Sequence, residues 1–321
     1  MLRSETEQVP RVRAQRGRSY WRISLRRLMR KKLGVACLAI ILLMYGAGVL
    51  APVVTPYGYN DQNLAVAKQG PSLSHPFGTD RLGRDILTRV IFGLRTTVII
   101  TITTLVTGSL ALGITLGLIA GYFGRFIDTL IMRVGEVTSA FPEIFLVLII
   151  IATVKPPVTE WVRGIEDTLG VDIVRLGVVD YLVIALALSI FSWFGMARLV
   201  RGQVLQIREN QYIEAARAIG GSTPRILLNH VLPNVLPPVI VVVSAGLAAV
   251  AGSEVFLSFL GIGIQPPTPS LGLMIFENAS ISVLRTNPHL LLFPVGILAV
   301  LLLCFSLLGD AMNDAFNPRA R

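Results

Sequence analysis

Arg26 to Val54 reads RRLMRKKLGVACLAIILLMYGAGVLAPVV, a cluster of five cations followed by a charge-free apolar run from Leu33 to Val54. A helix that crosses a bilayer needs about 20 largely apolar residues, and this run supplies them. A cleaved signal peptide has an apolar core of only about 7–15 residues, so the run reads as an uncleaved anchor. The cations in front of it hold its leading end on the cytoplasmic side, because basic residues resist translocation and favour anionic headgroups.

The remainder of the chain repeats that signal. It has 321 residues, 53% of them hydrophobic and 15% charged, with a mean hydropathy of +0.68; a soluble domain carries roughly 25% charged residues. So apolar a chain is not intrinsically disordered. The two cysteines, Cys37 and Cys304, lie inside apolar runs and read as small buried hydrophobes, which excludes a disulfide scaffold. Of the net charge of +10, residues 1–32 carry nearly all, with eleven Arg and Lys against Glu5 and Glu7. That placement suits a membrane surface and argues against a nucleic-acid partner. Further apolar runs at Thr96–Gly124, Thr129–Val154, Tyr181–Leu199, Val235–Ser253 and Leu290–Leu308 bring the expected spans to six. The fold class is an all-α polytopic membrane protein, with both termini cytoplasmic in a cell inner or plasma membrane. In this orientation 20 of the 29 basic residues face the cytoplasm.

Arg81, Arg84, Arg89 and Arg95 fall on the other side. In Gly83–Arg95 the apolar residues Ile86, Leu87, Val90, Ile91 and Leu94 recur at helical spacing while Arg84, Thr88 and Arg95 face away. Asp85 and Arg89 stand at i,i+4. The segment reads either as a short helix in the outer interface or as a solvated lead-in to span two. Within span two, Ser109, Gly113, Gly117 and Gly121 form a stripe at four-residue steps, a groove for another helix. Span three carries Arg133, Glu136, Pro142 and Glu143, with the two glutamates seven residues apart on one face of an unbroken helix. Glu143 would lie about 20 Å beyond Asp128, roughly two-thirds of the way across. An acidic group at that depth marks an interior pathway, or else a buried hydrogen bond to backbone loosened by Pro142. Glu143 and Glu136 are therefore the candidate path residues.

Catalytic and metal-ligating constellations are missing from the sequence: His75, His230 and His289 stand in separate segments, and no lysine follows a glycine-rich phosphate loop. If ATP drives this protein, another chain binds it. The longest cytoplasmic loop, 201–233, reads as two short helices. The first is Gln211–Ile219, stopped by Gly220-Gly221; the second opens with Thr223 as cap and Pro224 in its first turn, and Pro233 ends it before span five. Ala215 and Ala216 leave the protrusion small-sided, fit for a groove on another protein.

Glu214-Ala215-Ala216, three residues, Gly220, nine residues, then His230-Val231-Leu232-Pro233 resembles the EAA loop of ABC-importer permeases. His75-Pro76-Phe77-Gly78-Thr79-Asp80 with Gly83-Arg84-Asp85, Gly121-Tyr122-Phe123-Gly124, Ser258-Phe259-Leu260-Gly261 with Gln265-Pro266-Pro267, and the tail Gly309-Asp310-Ala311 through Pro318-Arg319 resemble the dipeptide/oligopeptide branch, second-permease (C-type) subunit. The resemblance covers about residues 20–321. Leu271, Asn313 and Asn317 depart from it, as does the long outer loop Lys155–Asp180, where Trp161, Val162, Ile165, Leu169 and Ile173 suggest an added amphipathic helix.

The resemblance implies a type I ABC-importer permease fold and an importer of di- or oligopeptides, with nickel, haem or glutathione as alternative cargo. It implies a basic tail over 1–32, a first span over 33–54, an extracytoplasmic segment over 55–95, a five-helix core over 96–310 and a tail over 311–321. Coupling would rest on Glu214, Ala215, Ala216, Gly220, Leu232 and Pro233. His75, Asp80, Arg81, Arg84 and Asp85 would contact a binding protein or another partner. The implied partners are a second homologous permease, one or two ATPase subunits holding ATP and Mg, an extracytoplasmic substrate-binding protein and membrane lipids, with no cofactor in this chain.

Overall fold

The computed structural model describes residues 20–170, 174 and 176–316, and among them it contains helices and no strand. Among the described residues six helices are long and apolar enough to cross a membrane. They are span one, Lys32–Val49; span two, Ile86–Phe123; span three, Glu143–Thr168; span four, Val178–Ile207; span five, Thr223–Phe259; and span six, His289–Phe316. Residues 1–19 of the basic tail lie outside the described residues, as do Ile173, Asn317, Pro318 and Arg319. The described tail forms a helix over Tyr20–Arg30, and Lys31 pairs with Asp314 near the end of span six. Span six thus continues past residue 310, where a tail was expected to begin.

The glycine stripe of span two does what its spacing predicts. Spans two and four run parallel, and a Cβ added at Gly113, Gly117 or Gly121 would lie 2.6–2.7 Å from Met196, Val200 or Val204. The four-residue steps on one helix meet four-residue steps on the other, so the backbones approach without side chains between them. Cys37 and Cys304 are free and buried in a second apolar core, together with Ile41, Val255, Leu271 and Phe305.

Other expectations need correction. Span two begins at Ile86 instead of Thr96, so Gly83–Arg95 is neither an interfacial helix nor a solvated lead-in. Asp85 caps the helix through the backbone N–H of Thr88 at 2.8 Å, and Arg89 enters it paired with Asp80 at 2.5 Å rather than with Asp85. The pair with Asp80 offsets part of the cost of burying the Arg89 charge, so the charge does not delay the span.

Span three is not continuous from Thr129. A helix Arg125–Ser139 stops, Pro142 adopts an extended conformation (φ −60°, ψ 118°), and a new helix runs Glu143–Leu169. Proline lacks the N–H for the helical ladder and excludes the residue before it from the α region. The second helix runs on through residues 155–169, which are its continuation and not a separate amphipathic helix.

Pro233 does not end a helix: the chain passes from Thr223 through a π-helical turn, Leu227–Val231, directly into Leu232–Phe259. Pro233 follows the π-helical turn directly, so its missing N–H falls where the helical ladder is already shifted. The cap of that segment is Ser222, with extended backbone (φ −66°, ψ 149°), and not Thr223.

Candidate functional site

The loop between spans four and five is built from its apolar residues outward. In the helix Gln211–Ala218, Ile213 and Ala216 are buried against Val204, Ile207, Ile226 and Val231. Glu214 and Ala215 point away from that core and are exposed, as are Tyr212 and Ile219. Ala216 is therefore a packing residue, not part of a small-sided outer face. Leu232 is half-buried, and Pro233 is exposed. Gly220 turns the chain at φ +83°, and the N–H of Gly221 donates to the carbonyl of Ala216 at 2.9 Å, closing the helix. The loop is braced on span two: Arg208 donates to the carbonyl of Gly121 at 2.9 Å, and the Arg217 guanidinium sits 5.1 Å from the centre of the Tyr122 ring. Sequence reasoning missed these braces, which join residues about 90 positions apart. Their one local signal is a run of arginines at the end of span four.

Beside the middle of span two, a cavity of about 210 Å³ opens between spans two, three, four and five. Glu143 stands in it, with Thr104, Ser109, Ser192 and Ser253 as polar companions on otherwise apolar walls. The Glu143 carboxylate makes no hydrogen bond or ion pair among the described residues. Two ion pairs flank it along the chain: Arg201 holds Asp128 (Nη2 to Oδ2 2.6 Å), and Lys155 meets Asp180 at 2.9 Å. Along the helix Glu143–Leu169, Glu143 stands about 18 Å from Lys155. Glu136 is placed elsewhere. The break at Pro142 removes the shared face; its carboxylate is 49% exposed and pairs with Arg133 at 2.9 Å, the i,i+3 pair its spacing predicts. Span two is π-helical over Leu105–Gly113 beside this cavity. Such turns occur often at functional sites, and periodicity gives no sign of them.

The outer motif folds into a tight knot. Asp80 accepts from the backbone N–H of Leu82 (2.8 Å) and of Arg84 (3.0 Å), and from the Arg84 guanidinium at 2.7 Å and that of Arg89 at 2.5 Å. Burial alone would push its carboxyl up; Arg89 and Arg84 beside it outweigh that and hold it below the ordinary carboxylate value. Asp85 caps span two and contacts the Nδ1 of His75 at 2.9 Å. Gly78 and Gly83 adopt positive φ, and a Cβ on Gly83 would fall 1.8 Å from the Asn63 carbonyl oxygen. Phe77 stacks on Phe293 with centroids 4.0 Å apart. Of the five residues expected to meet a partner here, Asp80, Arg84 and Asp85 are buried, and His75 is mostly so. They knit the outer segment to the head of span two, and only Arg81 is exposed.

Residues 113–321 match the family described as the binding-protein-dependent transport system inner membrane component. Residues 19–71 match the N-terminal TM domain of oligopeptide transport permease C. The chain is 36% identical to the dipeptide transport system permease protein DppC of Alkalihalophilus pseudofirmus, over 94% of this chain and 91% of that one. It is 34% identical to the oligopeptide transport system permease protein OppC of Escherichia coli K12, over 95% and 93%. With DppC of Bacillus subtilis it shares 34%, over 94% and 87%.

Proposed function

Because the chain belongs to the family of binding-protein-dependent transport system inner membrane components, we propose that it is the permease subunit of an ATP-driven importer of di- and oligopeptides. It forms one half of the pathway, and a second homologous permease forms the other. One or two ATPase subunits, holding ATP and Mg, dock on the 201–233 loop; an extracytoplasmic binding protein delivers cargo. Both termini face the cytoplasm. The names of the similar proteins support peptide over nickel, haem or glutathione.

The two-faced loop helix carries this reading. Its inner face, Ile213 and Ala216, is locked into the core, whereas Tyr212, Glu214, Ala215 and Ile219 are presented outward, Ile219 87% exposed. An apolar side chain so exposed at the cytoplasmic end suits a groove on another protein. The braces from Arg208 and Arg217 to the end of span two supply a route from such a partner into the membrane. Closure and reopening of the ATPases then bias two arrangements of the spans. In this arrangement Glu143 faces the path between the two permeases, where its carboxylate suits the amino terminus of a peptide.

Glu214 is exposed, so a cation on the ATPase can pair with it in the docked state. Breaking a pair that has become buried costs about 3–5 kcal/mol, and a tenfold effect needs about 1.4 kcal/mol. Glu214→Arg should abolish peptide uptake and cargo-stimulated ATP hydrolysis while the permease still inserts and pairs. A Glu214→Arg complex that keeps its ATPase and responds normally to loaded binding protein would overturn the reading of the loop.

A further inference from the structure

The helix in front of span one has no part in the proposed function. It runs Tyr20–Arg30 and ends at Lys31, whose backbone is not helical (φ −83°, ψ 88°); span one begins at Lys32. One side of this helix is fixed. Leu28 is buried against Ala311, Ala315 and Phe316 of span six, with Ile240 and Val241 of span five beside it. Ser24 is buried one turn earlier, and Lys31 pairs with Asp314.

These contacts set the level of the helix. The apolar run of span six ends at Leu308, Asp310 is exposed, and Phe316 lies six residues past Asp310, or about 9 Å. The polar layer on each side of a bilayer has a similar depth, about 5–8 Å. The helix is therefore held beside the headgroups, at the end of the bundle where span one begins and span six ends.

The rest of its surface is divided chemically. Leu25 and Met29 stand one turn apart and are 58% and 61% exposed. Arg26 and Arg30, also one turn apart, are exposed and make no ion pair among the described residues. At 3.6 residues per turn the apolar pair lies between the buried stripe of Ser24 and Leu28 and the stripe of Arg26 and Arg30. That order is the one of a helix lying in an interface, with its apolar side toward acyl chains and its cations at the headgroups. Exposed apolar side chains follow in span one, at Leu33 and Leu43.

The cations need anions that the neighbouring sequence does not supply. Between Glu7 and Asp61 the chain has ten Arg and Lys and no acidic residue. A leaflet with anionic headgroups answers both stripes at this level, with negative charge at its surface and acyl chains directly beneath.

We propose that the helix Tyr20–Arg30 is a docking surface for anionic phospholipid, with Arg26 and Arg30 at the headgroups and Leu25 and Met29 among the acyl chains. Through Leu28 and Lys31 the seated helix steadies the ends of spans five and six, so peptide transport responds to the anionic lipid around it. The effect on transport rests on the importer reading; the lipid contact does not.

The experiment uses the assembled complex, in a background without Cys37 and Cys304, in nanodiscs of phosphatidylcholine and in nanodiscs of an equimolar mixture with phosphatidylglycerol. A fluorophore attached through Met29→Cys is quenched by bromine carried on the acyl chains only when the apolar stripe lies in lipid. Quenching should be strong in the mixed discs and weak in phosphatidylcholine alone. Arg26→Gln combined with Arg30→Gln should lower the ratio of quenched to unquenched label in the mixed discs about tenfold or more. Both arginines are exposed and unpaired, so folding is preserved. Cargo-stimulated ATP hydrolysis by the unlabelled complex should fall together with the quenching. Equal quenching in both kinds of disc, or in the double variant, would overturn the proposal. So would a label open to water in every disc. A label shielded from water that brominated lipid does not quench would give the face to a protein subunit and would also overturn it. Hydrolysis that ignores a lost lipid contact would overturn the link to transport and leave the importer reading standing.

Discussion

Replacement of Gly220 by valine isolates the geometry of the coupling turn. Gly220 holds φ +83°, and a Cβ built there meets nothing within 4 Å. The substitution therefore introduces no clash, and its whole cost is conformational. For a residue with a Cβ the left-handed region costs about 1–2 kcal/mol, with a β-branched side chain at the upper end. That is a factor of roughly 5–30 in the population of the turn. When the turn relaxes, the bond from Gly221 to the Ala216 carbonyl is lost, and the helix carrying Glu214 and Ala215 no longer has a fixed angle to the core. Asparagine tolerates the left-handed region and serves as the control. Three readings in the reconstituted complex decide the matter: cargo-stimulated ATP hydrolysis, peptide uptake, and hydrogen exchange of the amides in the loop helix. Gly220→Val should raise exchange there by the same factor and depress stimulation, with Gly220→Ala intermediate and Gly220→Asn close to wild type. A Gly220→Val complex that couples normally would refute the reasoning. Equal damage from asparagine and valine would also refute it, because the constraint would then be one of contact and not of φ.

Two further outcomes are expected. Glu143→Gln should alter the transport rate or the preference among peptides, by about tenfold for a cargo whose ammonium group meets the carboxylate, while the complex assembles as before; transport of a range of peptides at wild-type rate would remove Glu143 from the path. In a background without Cys37 and Cys304, a cysteine placed by Thr159→Cys should react with an impermeant reagent outside intact cells, and one placed by Ser222→Cys should not; labelling at Ser222→Cys would reverse the orientation.

Six spans were legible because hydrophobic length is a property of composition, and the span two stripe because four-residue spacing is a property of one helix. The EAA loop was legible for the same local reason: a helix-forming run, then two glycines. What the sequence hid depends on pairing across distance. Arg89 reads as a charge that a membrane rejects, until Asp80 neutralises it inside the knot. Glu136 and Glu143 read as one face, until Pro142 breaks the helix between them. Glu254, completely buried in span five, accepts from Thr97 at 2.8 Å and Ser258 at 3.1 Å. Its charge ends the apolar run at Ser253 in the sequence, yet the helix continues to Phe259 because hydrogen bonds from span two and its own helix satisfy the carboxyl. Periodicity treats each helix as alone, and these features arise where helices meet.

The central claim is that this chain is half of a peptide pathway driven through its 201–233 loop. Its most direct test is ATP-dependent accumulation of a labelled dipeptide by proteoliposomes holding the complete complex, compared with the same vesicles carrying Glu214→Arg. The account predicts accumulation that requires both ATP and this chain and falls to background in Glu214→Arg. Accumulation that persists without the chain, or vesicles that take up nickel and no peptide, would contradict it.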